Sequence, residues 1–273
     1  MPDRSRALSI VVAIFVLLVL VLGHVTEAGW TSATTIAGVS MRSGTLDVRV
    51  DGQDTVSGSS ALDLSGMVPG SSASADVVVS NAGSVPLRYV VGVSGTDPDG
   101  KALAAALATD VSLGDCAGPA LGAGHVLSPG DSEHVCVKVG LPSAAPASVA
   151  AAATELTLVV RAAKGGWSDS APVAGSRMST VALTSPDLMC GPLGLGTLTL
   201  RWSSVPGATD YRIHYGAGGS MVETVPADVL MRTFSGVAGV ATVQAIFGSS
   251  TWASAPSQSL SYSAVGGLTG TCG

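Results

Sequence analysis

Thr197-Leu198-Thr199-Leu200-Arg201-Trp202 alternates strictly between polar and apolar side chains, and Asp210-Tyr211-Arg212-Ile213-His214-Tyr215 soon does so again. A period of two puts Leu198, Leu200 and Trp202 on one face and Thr197, Thr199 and Arg201 on the other, the pattern of a half-buried strand. Tyr211, Ile213 and Tyr215 form a matching apolar face. Between the two runs, Val205-Pro206-Gly207 turns the chain, because proline fixes φ and glycine accepts a positive one. Amphipathic strands joined by tight turns bury their apolar faces against a second sheet, so this region is expected to be a β-sandwich. Further strands are expected at residues 220–225, 229–234, 240–247 and 251–262, giving a module over residues 184–273.

The same reading extends upstream to a first module over residues 29–163. Strands are expected at residues 45–50 (TLDVRV), 75–80 (ADVVVS), 86–93 (PLRYVVGV), 110–113, 133–139 (EHVCVKV) and 155–163 (ELTLVVRAA). Residues 101–108 (KALAAALA) are strong helix formers and are expected to make a short helix. Met67-Val68-Pro69-Gly70 before one valine strand is echoed by Leu127-Ser128-Pro129-Gly130 before another, which reads either as equivalent hairpin entries in facing sheets or as the ordinary recurrence of Pro-Gly turns in β-proteins. Residues 164–183, rich in Gly, Ser and Pro, lack sustained alternation and read as a linker.

Composition supports an all-β chain. Of the 273 residues, 47% are hydrophobic but only 4% are aromatic and 12% charged; 35 glycines and 14 prolines interrupt any long helix. The net charge of −6 and the lack of basic clusters after the first six residues exclude a nucleic-acid partner.

The N-terminus reads as an export segment. Arg4 and Arg6 precede an uncharged run at residues 7–23, and Thr26-Glu27-Ala28 offers a small-x-small cleavage site before Gly29. Residues 1–28 are thus expected to be a signal peptide; the alternative is an uncleaved anchor through residues 7–23. Either way the positive end stays inside and the rest is placed outside the cytoplasm, extracellular or at the cell surface. Disulfides are then the default for Cys116, Cys136, Cys190 and Cys272. The module split selects Cys116–Cys136 and Cys190–Cys272. Each contributes on the order of 3–5 kcal/mol in the chain-entropy model.

Reactive chemistry finds little footing. No HExxH or CxxC supports a zinc site, and Glu133-His134 lies in a strand without a second histidine nearby in sequence. No GxSxG marks a nucleophile elbow. Asp97 and Asp99, and likewise Asp51 and Asp54, suit turns, with calcium binding as the competing role. No catalytic residue, metal ligand or cofactor is assigned. Trp202 is expected in the core. Trp252 has two readings: packing against the sandwich, or an exposed indole that forms a binding surface for a sugar or a protein.

Two resemblances follow from these segments. The leader, Ser32-Ala33-Thr34-Thr35-Ile36-Ala37-Gly38, Gly44-Thr45-Leu46-Asp47-Val48, the Met67–Gly70 turn, Val79-Ser80-Asn81-Ala82-Gly83-Ser84, residues 127–131 and Leu141-Pro142 together resemble the TasA/camelysin family. That resemblance implies a jelly-roll-like sandwich, processing by a SipW-type signal peptidase, and self-assembly into biofilm matrix fibres by strand exchange. Gly29-Trp30-Thr31-Ser32 departs from the family's aromatic-Ser-Asp sequence at the processing site. Residues 198–203 and 205–213 are similar to strands B and C of fibronectin type III domains, and Val243-Gln244-Ala245 to strand F. Gly239 stands where that family carries the tyrosine of its corner hydrogen bond. The resulting expectation is a bacterial, secreted or cell-surface structural protein, not an enzyme, whose N-terminal segment (residues 29–50) pairs with a neighbouring copy while the second module acts as spacer or binding head. The competing expectations are a camelysin-type metallopeptidase and a monomeric carbohydrate- or protein-binding module.

Overall fold

The computed structural model describes residues 35–36, 39–40, 44–194, 196–235, 238–263 and 271–273. The expected leader, residues 1–28, and the Ala28–Gly29 cleavage point lie outside the described residues. The chain divides into two units, Met1–Thr45 and Leu46–Gly273. Within the first, β1 (Thr35–Ile36) pairs antiparallel with β2 (Val39–Ser40).

The second unit holds two sandwiches. The upstream one contains β3 (Val48–Val50), β4 (Leu64–Met67), β5 (Ser72–Asn81), β6 (Leu87–Thr96), α1 (Leu103–Ala106), β7 (Ala108–Leu113), β8 (His125–Leu127), β9 (Ser132–Gly140), β10 (Ala153–Lys164) and β11 (Trp167–Thr180). One sheet runs β4-β11-β10-β6-β8 and the other β3-β5-β9-β7. Alternation puts Val77 and Val79 of β5, Val135, Val137 and Val139 of β9, and Leu156, Leu158 and Val160 of β10 into the core.

The echoed Pro-Gly turns are equivalent, but in one sheet rather than in facing sheets. β5 and β9 pair antiparallel from Ser72↔Gly140 to Ser80↔Ser132. At one end the Gly70 amide donates to Leu141 O (2.7 Å); at the other the Gly130 amide donates to Asn81 O (2.9 Å). Each glycine has positive φ, as these reversals require.

Two upstream expectations need correction. The helix at residues 101–108 is a single turn, because Ala102 is left-handed before it and Leu107 is already extended after it. The linker at residues 164–183 is instead mostly β11, the second arm of a hairpin with β10. Ala171, Val173, Ser176, Met178 and Thr180 face inward; the phase shifts at a bulge, where Gly175 has φ of 120°.

Downstream lie β12 (Leu188–Gly194), β13 (Thr197–Trp202), β14 (Asp210–Tyr215), β15 (Met221–Pro226), β16 (Met231–Ser235), β17 (Ala238–Phe247), β18 (Ser249–Ala253), β19 (Leu260–Ser263) and β20 (Thr271–Cys272). The sheets are β12-β13-β16 and β15-β14-β17-β19-β20, with β18 on β17. The first, second and fifth of these strands form one sheet and the fourth, third, sixth and eighth the body of the other, a sandwich like that of fibronectin type III domains. The expected strand at residues 251–262 is two strands, since Pro256 lies in the break between β18 and β19.

Gly239 has a steric cause. A Cβ there would lie 1.9 Å from Gly216 O, so no tyrosine fits. Tyr262 supplies the tie instead: its buried hydroxyl accepts from the Gly216 amide at 2.7 Å. Trp202 is core, as expected, and packs edge-on to Tyr211 with ring centroids 5.8 Å apart. Cys190 bridges Cys272 and so joins β12 to β20 across the module's two ends.

The two sandwiches share an apolar junction. Trp252 is fully buried, and its indole N–H donates to Ala145 O of the upstream module at 2.8 Å. Gly207 and Gly248 allow close approach: a Cβ on the first would lie 2.9 Å from Val181, and one on the second 3.0 Å from Pro69 O.

Candidate functional site

Edge strands carry unpaired backbone donors and acceptors, and natural sheets blunt them with charge, proline, bulges or covering segments. On the outer side of β11, Val56 and Ser59 exchange backbone bonds with Pro172 and Ala174, and β4 continues the cover. In the downstream module, the edge strand β15 carries Glu223, paired with Arg232 at 2.7 Å, and ends on Pro226.

β6 differs. Its inner side pairs with β10 over residues 88–96, but β8 covers its outer side only at Leu87, Arg88 and Tyr89. Residues 90–96 (Val-Val-Gly-Val-Ser-Gly-Thr) hold no charge and no proline. Val90 is 45% exposed, and the inward-facing Val91 and Val93 are only half-buried against the core. Among the described residues no strand pairs with β6 on this side beyond Tyr89, and only its last residue is engaged, Thr96 O accepting from the Thr154 hydroxyl at 3.2 Å, so an incoming strand finds backbone to pair with and apolar surface to cover.

A polar clamp sets where this edge begins. Glu133 of β9 reaches across to the other sheet and takes two partners. One carboxylate oxygen accepts from the Tyr89 hydroxyl of β6; the other lies 3.1 Å from Nε2 of His125 on β8. Tyr89 and His125 also meet edge to face. Burial, then the bond to Glu133 and its charge, push the Tyr89 hydroxyl well above the usual tyrosine range. Asn81 adds a bond from its side-chain amide to Leu127 O at 3.0 Å. Thus β8 is held onto the first residues of β6 and stops there.

The remaining sequence candidates fall elsewhere. Cys116 bridges Cys136, the pairing the module split selects. Trp252 is not a binding surface; its ring fills the junction between the sandwiches. Among the described residues the exposed tryptophan is Trp167, on the tip of the β10–β11 hairpin. Asp99 spends both oxygens on backbone amides, of Lys101 at 3.0 Å and Ala153 at 2.9 Å, and Asp97 accepts from Ala104 at 2.9 Å. The bond from Lys101 is the main cause of the lowered Asp99 pKa. Asp51 binds the Val78 amide and Asp54 pairs with Arg49. These carboxylates are turn builders, and Lys101 beside Asp99 disfavours a cation there. Among the described residues no group of three or more His, Cys, Asp and Glu side chains converges on one point. Glu133 was legible only as a neighbour of His134. That histidine faces away toward Asp76, while the true partner, His125, comes from a strand too short to show alternation.

No protein-family model matches the chain, and no curated protein matches it in sequence. Solved structures similar to it include a two-domain fibronectin type III segment of chicken tenascin, at 17% identity and TM-score 0.27, covering 67% of this chain and 89% of that one. The Escherichia coli chaperone DraB is similar at 15% identity and TM-score 0.28, covering 78% and 95%. A family 123 glycoside hydrolase from Clostridium perfringens is similar at 11% identity and TM-score 0.31; the match covers 52% of this chain and 28% of the hydrolase.

Proposed function

We propose that this chain is a secreted or cell-surface structural protein of the bacterial envelope or matrix, and that its upstream sandwich accepts a β-strand along residues 90–96 of β6. One observation carries the reading: a long, uncharged, proline-free edge that the described residues leave uncovered beside half-buried valines. The donor is the N-terminal segment of a second copy, as the resemblance to TasA/camelysin proteins implies. Val48–Val50 cannot belong to that donor, since these residues already pair with β5 and Val48 and Val50 are buried. The donor is thus placed within residues 29–45, where the β1–β2 pairing is local and must open before the segment joins β6. Two disulfides fit an oxidising compartment. The downstream module serves as a spacer, fixed to the first through Trp252, and the protein carries no catalytic role.

Electron microscopy of the mature chain tests this. Deleting residues 29–39 abolishes filaments and leaves a folded monomer. Gly92→Lys does the same from the acceptor side; a Cβ at residue 92 meets nothing within 4 Å, so the fold tolerates the lysine. Filaments that persist in both variants overturn the proposal.

A further inference from the structure

We propose that the loop between β7 and β8, tied down by the Cys116–Cys136 bridge, is a guard that closes the β7 edge of the upstream sandwich to incoming strands. Its consequence, that strand addition is denied to β7 and left to β6, rests on the reading above; its geometry does not. β7 is the terminal strand of its sheet, paired with β9 on one side only. After Leu113 the chain reverses at Gly114, whose amide donates to His134 O at 2.8 Å. Gly118 then passes so close to Leu113 O that a Cβ would lie 1.9 Å from it. Residues 119–121 run back along the outer side of β7. The Leu113 amide donates to Pro119 O and the Leu121 amide to Val111 O, both at 2.9 Å, with Ser112 opposite Ala120.

This three-residue cover is a poor template in its own right. Pro119 has no N–H. The groups of residues 119 and 121 turn inward to β7, so period-two alternation leaves Ala120 alone facing outward. The bridge holds the reversal in place: Cys136 lies on β9 directly opposite Ser112, and it is buried under the loop. The uncovered start of β7 carries Asp110, a charge that itself discourages pairing. One edge of the sandwich is therefore closed by covalent means, while the described residues leave β6 uncovered beyond Tyr89.

The test uses the full mature chain with Cys116→Ser/Cys136→Ser, alone and together with Gly92→Lys. Hydrogen exchange at the Leu113 amide is expected to speed up by about tenfold or more, while Val137 on β9 stays protected and reports an intact fold. In sedimentation, Gly92→Lys alone is monomeric and the triple variant associates again through β7. Leu121→Pro, which deletes the guard's bond to Val111 but keeps the bridge, gives the same result if the serine variant does not fold. A protected Leu113 amide, or a triple variant that stays monomeric, overturns the guard. Association of Gly92→Lys alone instead counts against the β6 reading.

Discussion

Trp252→Ala and Trp252→Phe together measure the junction between the sandwiches. The indole is fully buried and bonded to Ala145 O, so truncation to alanine removes both its packing and the bond. Large aromatic-to-alanine changes in a core cost about 3–5 kcal/mol. Phenylalanine keeps most of the apolar contact but leaves the Ala145 carbonyl without its partner, which costs about 1–3 kcal/mol. Urea unfolding of the mature chain reads both. Wild type is expected to unfold in one transition, because the junction couples the modules. Trp252→Ala is expected to split it into two, with the downstream module leaving first. If Trp252→Ala shifts stability by less than about 0.5 kcal/mol and the single transition survives, the indole does not pin the modules together.

Other outcomes follow from the same contacts. Tyr262→Phe strips the buried Gly216 amide of its acceptor and should cost about 1–3 kcal/mol in thermal unfolding. Removing Cys190–Cys272 by paired serine substitution should cost on the order of 3–5 kcal/mol by the same measurement, given the 82-residue separation. Glu133→Gln weakens the clamp, so amides of His125–Leu127 should exchange faster while β9 is unchanged. The raised Tyr89 pKa carries a sign: the unfolded chain loses this proton first, so the stabilisation is complete below the ordinary tyrosine pKa of about 10. It is lost as pH rises further, at about 1.4 kcal/mol per pH unit. Tyr262, also raised by burial, adds to that slope, so urea titrations should show Tyr89→Phe reducing it and Tyr89→Phe/Tyr262→Phe reducing it further.

Strands with large alternating side chains were legible in the sequence. β13 and β14 stand where their Leu, Trp, Tyr and Ile residues put them, and β9 and β10 where their valines and leucines do. β11 was not legible. Its inward positions hold Ala, Ser and Thr as often as Val or Met, and the bulge at Gly175 breaks the period midway. Trp252 sits among small polar residues that suggest solvent, yet what buries it is the other module, about a hundred positions away along the chain. The open edge of β6 was beyond reach for a related reason. Its sequence shows a strand; whether one side of that strand is covered depends on how far β8 runs, and β8 is fixed by a glutamate from the opposite sheet.

Hydrogen exchange at residues 90–96, compared between monomer and assembled protein, tests the acceptor role of β6 most directly. Amides on the outer side of β6 should exchange freely in the monomer and become protected on assembly, with residues 87–89 protected in both. Assembled protein whose residues 90–96 exchange as fast as in the monomer would contradict it.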